Sequence, residues 1–289
     1  MTHVAATGAS AAPYRDPERQ SFLRRRAVRN RTVASVSMVV FLVVLAVAVT
    51  NSPGWPAVQK SFFDPTAFRE SFPEIWDAFW LNVRMFLVAE PLILVLGLLI
   101  ALARGLRAPM WAPLRVLAAV WTDVFRGVPT LLLILLFGFG IPALRIKGLT
   151  NEPVVWGTVA LVVSYSAYVA EVYRAGIDSV HPGQRAAARS LGLSDGQTSR
   201  FVVLPQAVRN VVPPLLNDFI SLQKDTALVS VLGPIEALRA AQIYASDTFN
   251  YTSYVVAAVL FISLTIPMAR YTDWLLARQR RRKAAGGSW

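Results

Sequence analysis

Cysteine is absent from the 289 residues. That excludes disulfides, thiolate metal sites and cysteine nucleophiles. Histidine occurs only at His3 and His181, too few for an imidazole-rich metal centre. Lysine is confined to Lys60, Lys147, Lys224 and Lys283, and none of them completes a GxxxxGK[ST] phosphate loop. This chain therefore has no such route to binding ATP. HExxH and GxSxG are missing too, so nothing assembles a nucleophile with its base. Acidic residues are scarce, 17 Asp and Glu against 29 Lys and Arg. What remains is a conduit that needs an external energy source, or none.

Hydrophobic length is what the chain has in quantity. Apolar residues make up 55% and mean hydropathy is +0.47, as in a polytopic membrane protein. Val33 to Thr50 is an apolar run close to the ~20 residues needed to span. A cleaved signal peptide is disfavoured, because the preceding tail is long and no small-residue cleavage pattern follows. Further spans are expected at about 79–103, 128–144, 154–173, 211–232 and 254–276, six in all. Residues 113–126 read as partly interfacial, with a break at Arg126–Pro129 before the third span. Pro91 and Pro129 are expected to set kinks or helix ends. Residues 51–78 and 233–253 read as outer loops, and 1–32 and 277–289 as basic cytoplasmic tails.

The distribution of charge fixes an orientation. With six spans and the N-terminus inside, the inner segments carry 20 Lys and Arg and the outer segments 5. The opposite orientation would violate the positive-inside rule. The same asymmetry accounts for most of the +12 net charge without nucleic acid. No fixed-period repeat is present, and no inverted repeat of the kind common in secondary transporters.

Between the fourth and fifth spans the character changes. Residues 181–205 are polar, small and basic. Pro182 suits the first position of a short helix, residues 184–191 have helical composition, and Gly192 suits the left-handed residue that ends it. Ser194 with Gln197 reads as a capping box that opens a second helix. Pro205 is expected to interrupt that helix. A compact helix–turn–helix between two spans has the shape of a docking element, and a secondary transporter or channel, the alternative function class, has no need of one.

Ionisable residues also fall at membrane depth: Arg84, Glu90, Glu171, Asp218, Lys224 and Asp225. Such groups are costly in hydrocarbon and face a cavity or each other. They are read either as inter-helix pairs that fix packing or as the lining of a substrate path. Glu171 and Arg174 share a helical face and are expected to pair.

These residues carry a specific resemblance. HPGQ at 181–184, AARSLGLS at 187–194 and LPQAVRN at 204–210 resemble the cytoplasmic EAA–G–I–LP signature loop of ABC-importer permeases, in the polar amino acid branch. FRGVP at 125–129, AYVAEVYRAGI at 167–177 and the stretch 213–233 match as well. The likeness runs from about residue 79 to 276. The glutamate that opens the family motif falls on Ala186, which removes one expected polar contact, and the usual isoleucine is Val202.

The resemblance implies an all-α membrane protein with a five-helix type-I importer core, to which Val33–Thr50 adds an extra N-terminal helix outside the transport path. It implies a transport subunit and not an enzyme, in a bacterial cytoplasmic membrane. Pro182, Gly183, Gln184, Ala186, Ala187, Ala188, Leu191, Gly192, Leu204 and Pro205 would form the ATPase-coupling loop. The implied partners are an ABC ATPase dimer holding ATP and Mg, a second permease subunit, an extracytoplasmic amino acid-binding protein and membrane lipids. No cofactor is expected in this chain.

The charge asymmetry generates a prediction: both termini are cytoplasmic. Reporter fusions at residues 20 and 285 should both read as internal. One external signal would mean an odd number of spans.

Overall fold

The computed structural model describes residues 17–106 and 108–284. Residues 1–16 and 285–289 of the two expected basic tails lie outside the described residues, as does Arg107 of the expected inner turn. The chain divides into two units, Met1–Gln59 and Lys60–Trp289. The first holds one long helix, α1 (Pro17–Thr50). Its helix takes in residues 17–32, which were expected to be a tail.

The second unit is helical throughout the regular structure described. After α2 (Trp55–Phe62), which runs across the unit boundary, come α3 (Pro65–Gly105), a 3₁₀ turn at Pro109–Trp111, α4 (Ala112–Gly127), α5 (Thr130–Ala143) and α6 (Pro153–Asp178). Then follow α7 (Pro182–Ser190), α8 (Asp195–Thr198), a π turn at Ser199–Val203, α9 (Leu204–Asp225), a 3₁₀ turn at Thr226–Leu232, α10 (Ala237–Thr248) and α11 (Thr252–Ala284).

Several expected loops are helices. Residues 51–78 hold α2 and the first third of α3. Asp64 caps α3, its side chain accepting from the Thr66 N–H at 2.8 Å. Ala67, Ser71, Ile75, Phe79 and Asn82 then fall on one buried face at helical spacing. That face packs against α10 and α11 through Ala237, Ala240, Val256 and Leu260. The segment 233–253, expected to be an outer loop, contains α10, capped by Glu236. α11 continues to Ala284, so most of the expected C-terminal tail is helical as well.

Prolines behave differently from one site to the next. Pro129 lies in the expected break, where α4 and α5 meet at 106°. Pro91 lies inside α3, which continues through it. Pro205 was expected to interrupt, yet the helical path runs on from α8 to α9. The π turn just before Pro205 widens the helix where its ring would crowd a carbonyl one turn back.

Among the described residues four stretches are long and apolar enough to cross a membrane: Val28–Thr50, Trp55–Gly105, Pro153–Asp178 and Thr252–Arg278. The bent pair α4–α5 makes a fifth if its two arms are one broken span and not a re-entrant loop. The fifth expected span, 211–232, corresponds to α9 and its 3₁₀ extension, whose Asn217, Asp218, Gln223, Lys224 and Asp225 make it too polar to assign on apolarity alone.

α6 is the centre of the second unit. It packs against α3, α4, α5 and α9, and its Ala160, Leu161, Ala167 and Ala170 are fully or almost fully buried. Small residues let backbones approach. A Cβ added at Gly157 would lie 2.5 Å from Val229 Cγ1, and one at Gly97 of α3 would lie 2.7 Å from Val169 Cγ1 and 3.2 Å from the Ala170 nitrogen. Polar ties supplement the packing. The Asn82 amide donates to Glu236 Oε2 at 2.9 Å and to Thr226 Oγ1 at 3.1 Å, and accepts from the Ala237 N–H at 3.1 Å. Burial pushes the Glu236 carboxyl up from its ordinary value, and its hydrogen bonds from Leu238, Asn82 and Arg239 oppose the shift.

Close packing on α6 predicts that Gly97→Ala and Gly157→Ala each destabilise the bundle by about 1–3 kcal/mol. Gly140→Ala, in open space on α5, is the control. Thermal unfolding in detergent measures the difference; equal behaviour of the three variants would refute the tight approach.

Candidate functional site

The loop between α6 and α9 builds its own rigidity. His181 Nδ1 accepts the Gly183 N–H at 3.0 Å, and Pro182 starts α7. The helix ends in a Schellman arrangement: the Gly192 N–H donates to Arg189 O at 2.9 Å and the Leu193 N–H to Ala188 O at 3.2 Å. Gly192 has φ +86°, the left-handed conformation expected of it. The capping box is present in both directions, Gln197 N–H to Ser194 Oγ at 3.3 Å and Ser194 N–H to Gln197 Oε1 at 2.9 Å. The exposed Arg189–Asp195 pair at 3.2 Å adds little by comparison.

The loop is also tied to the bundle. Arg185 Nη2 donates to Ile177 O at 2.8 Å, and Asn210 Nδ2 donates to Ser179 Oγ at 2.8 Å. Pro182, Gly183, Gln184, Ala186, Ala187, Gly192, Leu204 and Pro205 face outward, and Leu191 is 85% exposed. Ala188 is buried, so it packs the loop against itself and is not available to a partner. Phe201 and Val208 are exposed beside Leu204 and extend the apolar face of the loop. Sequence reasoning passed over both. Their signal was the spacing 201, 204, 208, one face of a helix.

Five of the six intramembrane candidates separate into three places, and the sixth, Lys224, is exposed. Glu171 lies at the α6 end that leads into the loop. Its Oε2 accepts from Arg104 Nη1 at 2.8 Å and its Oε1 from Arg174 Nη2 at 2.5 Å, the second being the expected pair. Arg104 Nη1 also donates to Thr122 Oγ1 at 2.9 Å, and Arg174 reaches Asp178 at 3.0 Å. One carboxylate thus joins α3, α4 and α6.

Glu90, Asp218 and Asp225 form the second place. Glu90 on α3 and Asp218 on α9 are half-buried and within electrostatic reach of each other. Tyr165 Oη donates to Asp225 Oδ2 at 2.7 Å and is near Asp218 as well. Asp218 Oδ2 and, on another face of α9, Gln223 Nε2 are buried without a hydrogen-bond partner among the described residues. No ion pair within the described residues neutralises these three carboxylates. Lys224 is exposed beside Asp225. Arg84, in the third place, is exposed on a groove between α3 and α6, on a different side of α3 from Glu90. Among the described residues no group of His, Asp and Glu could hold a metal ion.

Comparison with known proteins identifies the family and the fold. The family described as binding-protein-dependent transport system inner membrane component matches residues 93–281. The chain is 33% identical over 212 residues to a probable glutamine ABC transporter permease of Bacillus subtilis, covering 72% of this chain and 94% of that one. It is 30% identical to an arginine transport system permease of the same organism, with coverage of 70% and 91%. The crystal structure of an amino acid ABC transporter with histidines superposes with TM-score 0.68 at 32% identity, over 74% of this chain and 98% of that one. The methionine transporter MetNI, at 21% identity and TM-score 0.58 over 71% and 95% of the two chains, shares the fold.

The Glu171 hub generates a prediction. Glu171→Gln removes both ion pairs while keeping the shape, and should cost about 1–3 kcal/mol. Thermal unfolding of the solubilised protein reads this. A loss no larger than that of the exposed-pair variant Asp195→Asn would mean that the hub does not hold the three helices.

Proposed function

This chain belongs to the family of binding-protein-dependent transport system inner membrane components, and on that premise we propose how its geometry moves a polar amino acid across a bacterial cytoplasmic membrane. It is a permease subunit of an ABC importer, a transport component whose ATPase is a separate chain. The single observation that carries the coupling reading is the self-capped loop 181–205. It is stiffened by its own hydrogen bonds, fastened to α6 and α9, and presents Leu191, Phe201 and Leu204 outward. An apolar, small-residue surface of this kind fits a groove on an ATPase subunit.

The cargo reading rests on the interior carboxylates. Glu90, Asp218 and Asp225 have no basic partner among the described residues, so a substrate ammonium group would meet charge that the protein leaves uncompensated. The relatives named for glutamine and arginine, and the amino acid transporter of similar structure, support an amino acid with a polar side chain. The working assembly in this reading has an ATPase dimer, a second permease subunit, identical or related, and an extracytoplasmic binding protein that delivers the amino acid.

Proteoliposomes holding the complete transporter test the proposal. Combined Ala187→Trp and Gly192→Trp should permit assembly and ATP hydrolysis but abolish uptake, by clash at a packed interface. Asp218→Asn should keep assembly and ATPase stimulation while uptake drops about tenfold or more, the scale of one lost charge-assisted contact. Normal coupled uptake in the tryptophan variant would sink the coupling reading, and normal uptake in Asp218→Asn the cargo reading.

A further inference from the structure

Between α3 and α6 lies a groove of about 400 Å³, separate from the loop and from the interior carboxylates. Met85 and Val162 form its floor, and Val88, Leu92 and Val155 its exposed walls. The hydroxyl of Thr158, also in the lining, is engaged by the Val154 carbonyl at 2.7 Å. The only charged residue in the lining is Arg84. Its side chain is exposed and has no hydrogen bond or ion pair with any described residue.

Depth decides what the groove meets. Arg84 and Arg104 are twenty residues apart on one helix, about 30 Å at 1.5 Å per residue, which is the thickness of a hydrocarbon core. Arg84 therefore stands at one interface when Arg104 stands at the other. Two tryptophans mark the same level. Trp80 is exposed one turn before Arg84, and Trp156, near the start of α6, donates to Thr150 O at 2.8 Å. Such an aromatic belt is expected at an interface. From Arg84 the groove descends to Leu92, about 12 Å into the leaflet.

We propose that this groove is a binding site for one anionic phospholipid of the leaflet bounded by the α5–α6 loop, its phosphate on Arg84 and an acyl chain along Val88, Leu92 and Val155. The guanidinium fork suits a phosphate oxygen pair. A peptide segment is a poor occupant, because below Arg84 the lining offers no free hydrogen-bonding group to its backbone. A second copy of this chain would bury Arg84 and would have to bring a carboxylate to meet it.

The test uses the intact transporter in vesicles of phosphatidylcholine, with trace phosphatidylglycerol or phosphatidylcholine carrying a photoreactive acyl chain. Crosslinked peptides are mapped by mass spectrometry. The phosphatidylglycerol probe should label the peptides containing Val88–Leu92 and Val155. Arg84→Gln should lower that labelling about fivefold, the worth of one arginine at an anionic surface, and leave labelling by phosphatidylcholine unchanged. Val155→Trp should fill the groove and remove labelling by both. Equal labelling by the two probes, insensitive to Arg84→Gln, would overturn the headgroup assignment. The chain has no cysteine of its own, so Val88→Cys gives an unambiguous check on the rival occupant: disulfide linkage of two permease subunits through that position would assign the groove to a subunit interface instead.

Discussion

In hydrocarbon, apolar side chains gain nothing from one another that lipid tails would not give them. A bundle of spans is held instead by close backbone approach and by internal hydrogen bonds. α6 supplies the first of these. Gly157 lets Val229 come against its backbone, Gly97 on α3 takes Val169, and Gly176 takes Val211 of α9. The rest of the second unit follows from those approaches. Because α3, α5 and α9 lie so near α6, Ile93, Ile134 and Leu222 are shut away almost completely. Polar side chains can then be buried at bonding distance, as with Asn82 between Thr226 and Glu236.

The same central helix governs the loop. α6 ends in Glu171, Arg174 and Asp178, and the hub of Arg104 on Glu171 fixes that end to α3 and α4. A few residues later Ser179 and Ile177 receive Asn210 and Arg185. The loop is thus a rigid projection of the bundle and not a tether. Its stiffness is local chemistry, a Schellman end and a capping box separated only by Leu193. Each of these satisfies helix-end groups that would otherwise need water.

Those local signals explain what was legible in the sequence. Pro182, Gly192, Ser194 and Gln197 act through neighbours a few residues away, so their roles could be read from order alone. The Glu171–Arg174 pair was legible for the same reason. The break at Arg126–Pro129 was legible because proline has a local steric effect. The helix at 65–78 was hidden among charged residues, Arg69, Glu70, Glu74 and Asp77. Only its partners on α10 and α11 reveal that the buried face matters. Pro205 was misread because the π turn that accommodates it has no signature in residue order. The division of Glu171, the three carboxylates and Arg84 into a hub, a carboxylate group and a groove is wholly tertiary. It depends on which face of α3 meets which neighbour.

The placement of the carboxylates bears on how an external ATPase could act on cargo. α9 carries the outward loop residues Leu204 and Val208 at one end and Asp218 and Asp225 toward the other. α6 carries Tyr165, which holds Asp225, and leads into the loop through Glu171. The same two helices therefore bound both the proposed docking loop and the proposed cargo site. Asp218 lies fourteen residues beyond Leu204, about 21 Å along a helix axis. Pro213 and Pro214 lie between them inside α9, where the missing backbone donors interrupt the helical hydrogen-bond ladder. The approach of Val211 to Gly176 lies between the two sites, with no side chain on the α6 partner to cushion it. That contact anchors α9 to α6 between the proposed docking loop and the proposed cargo site.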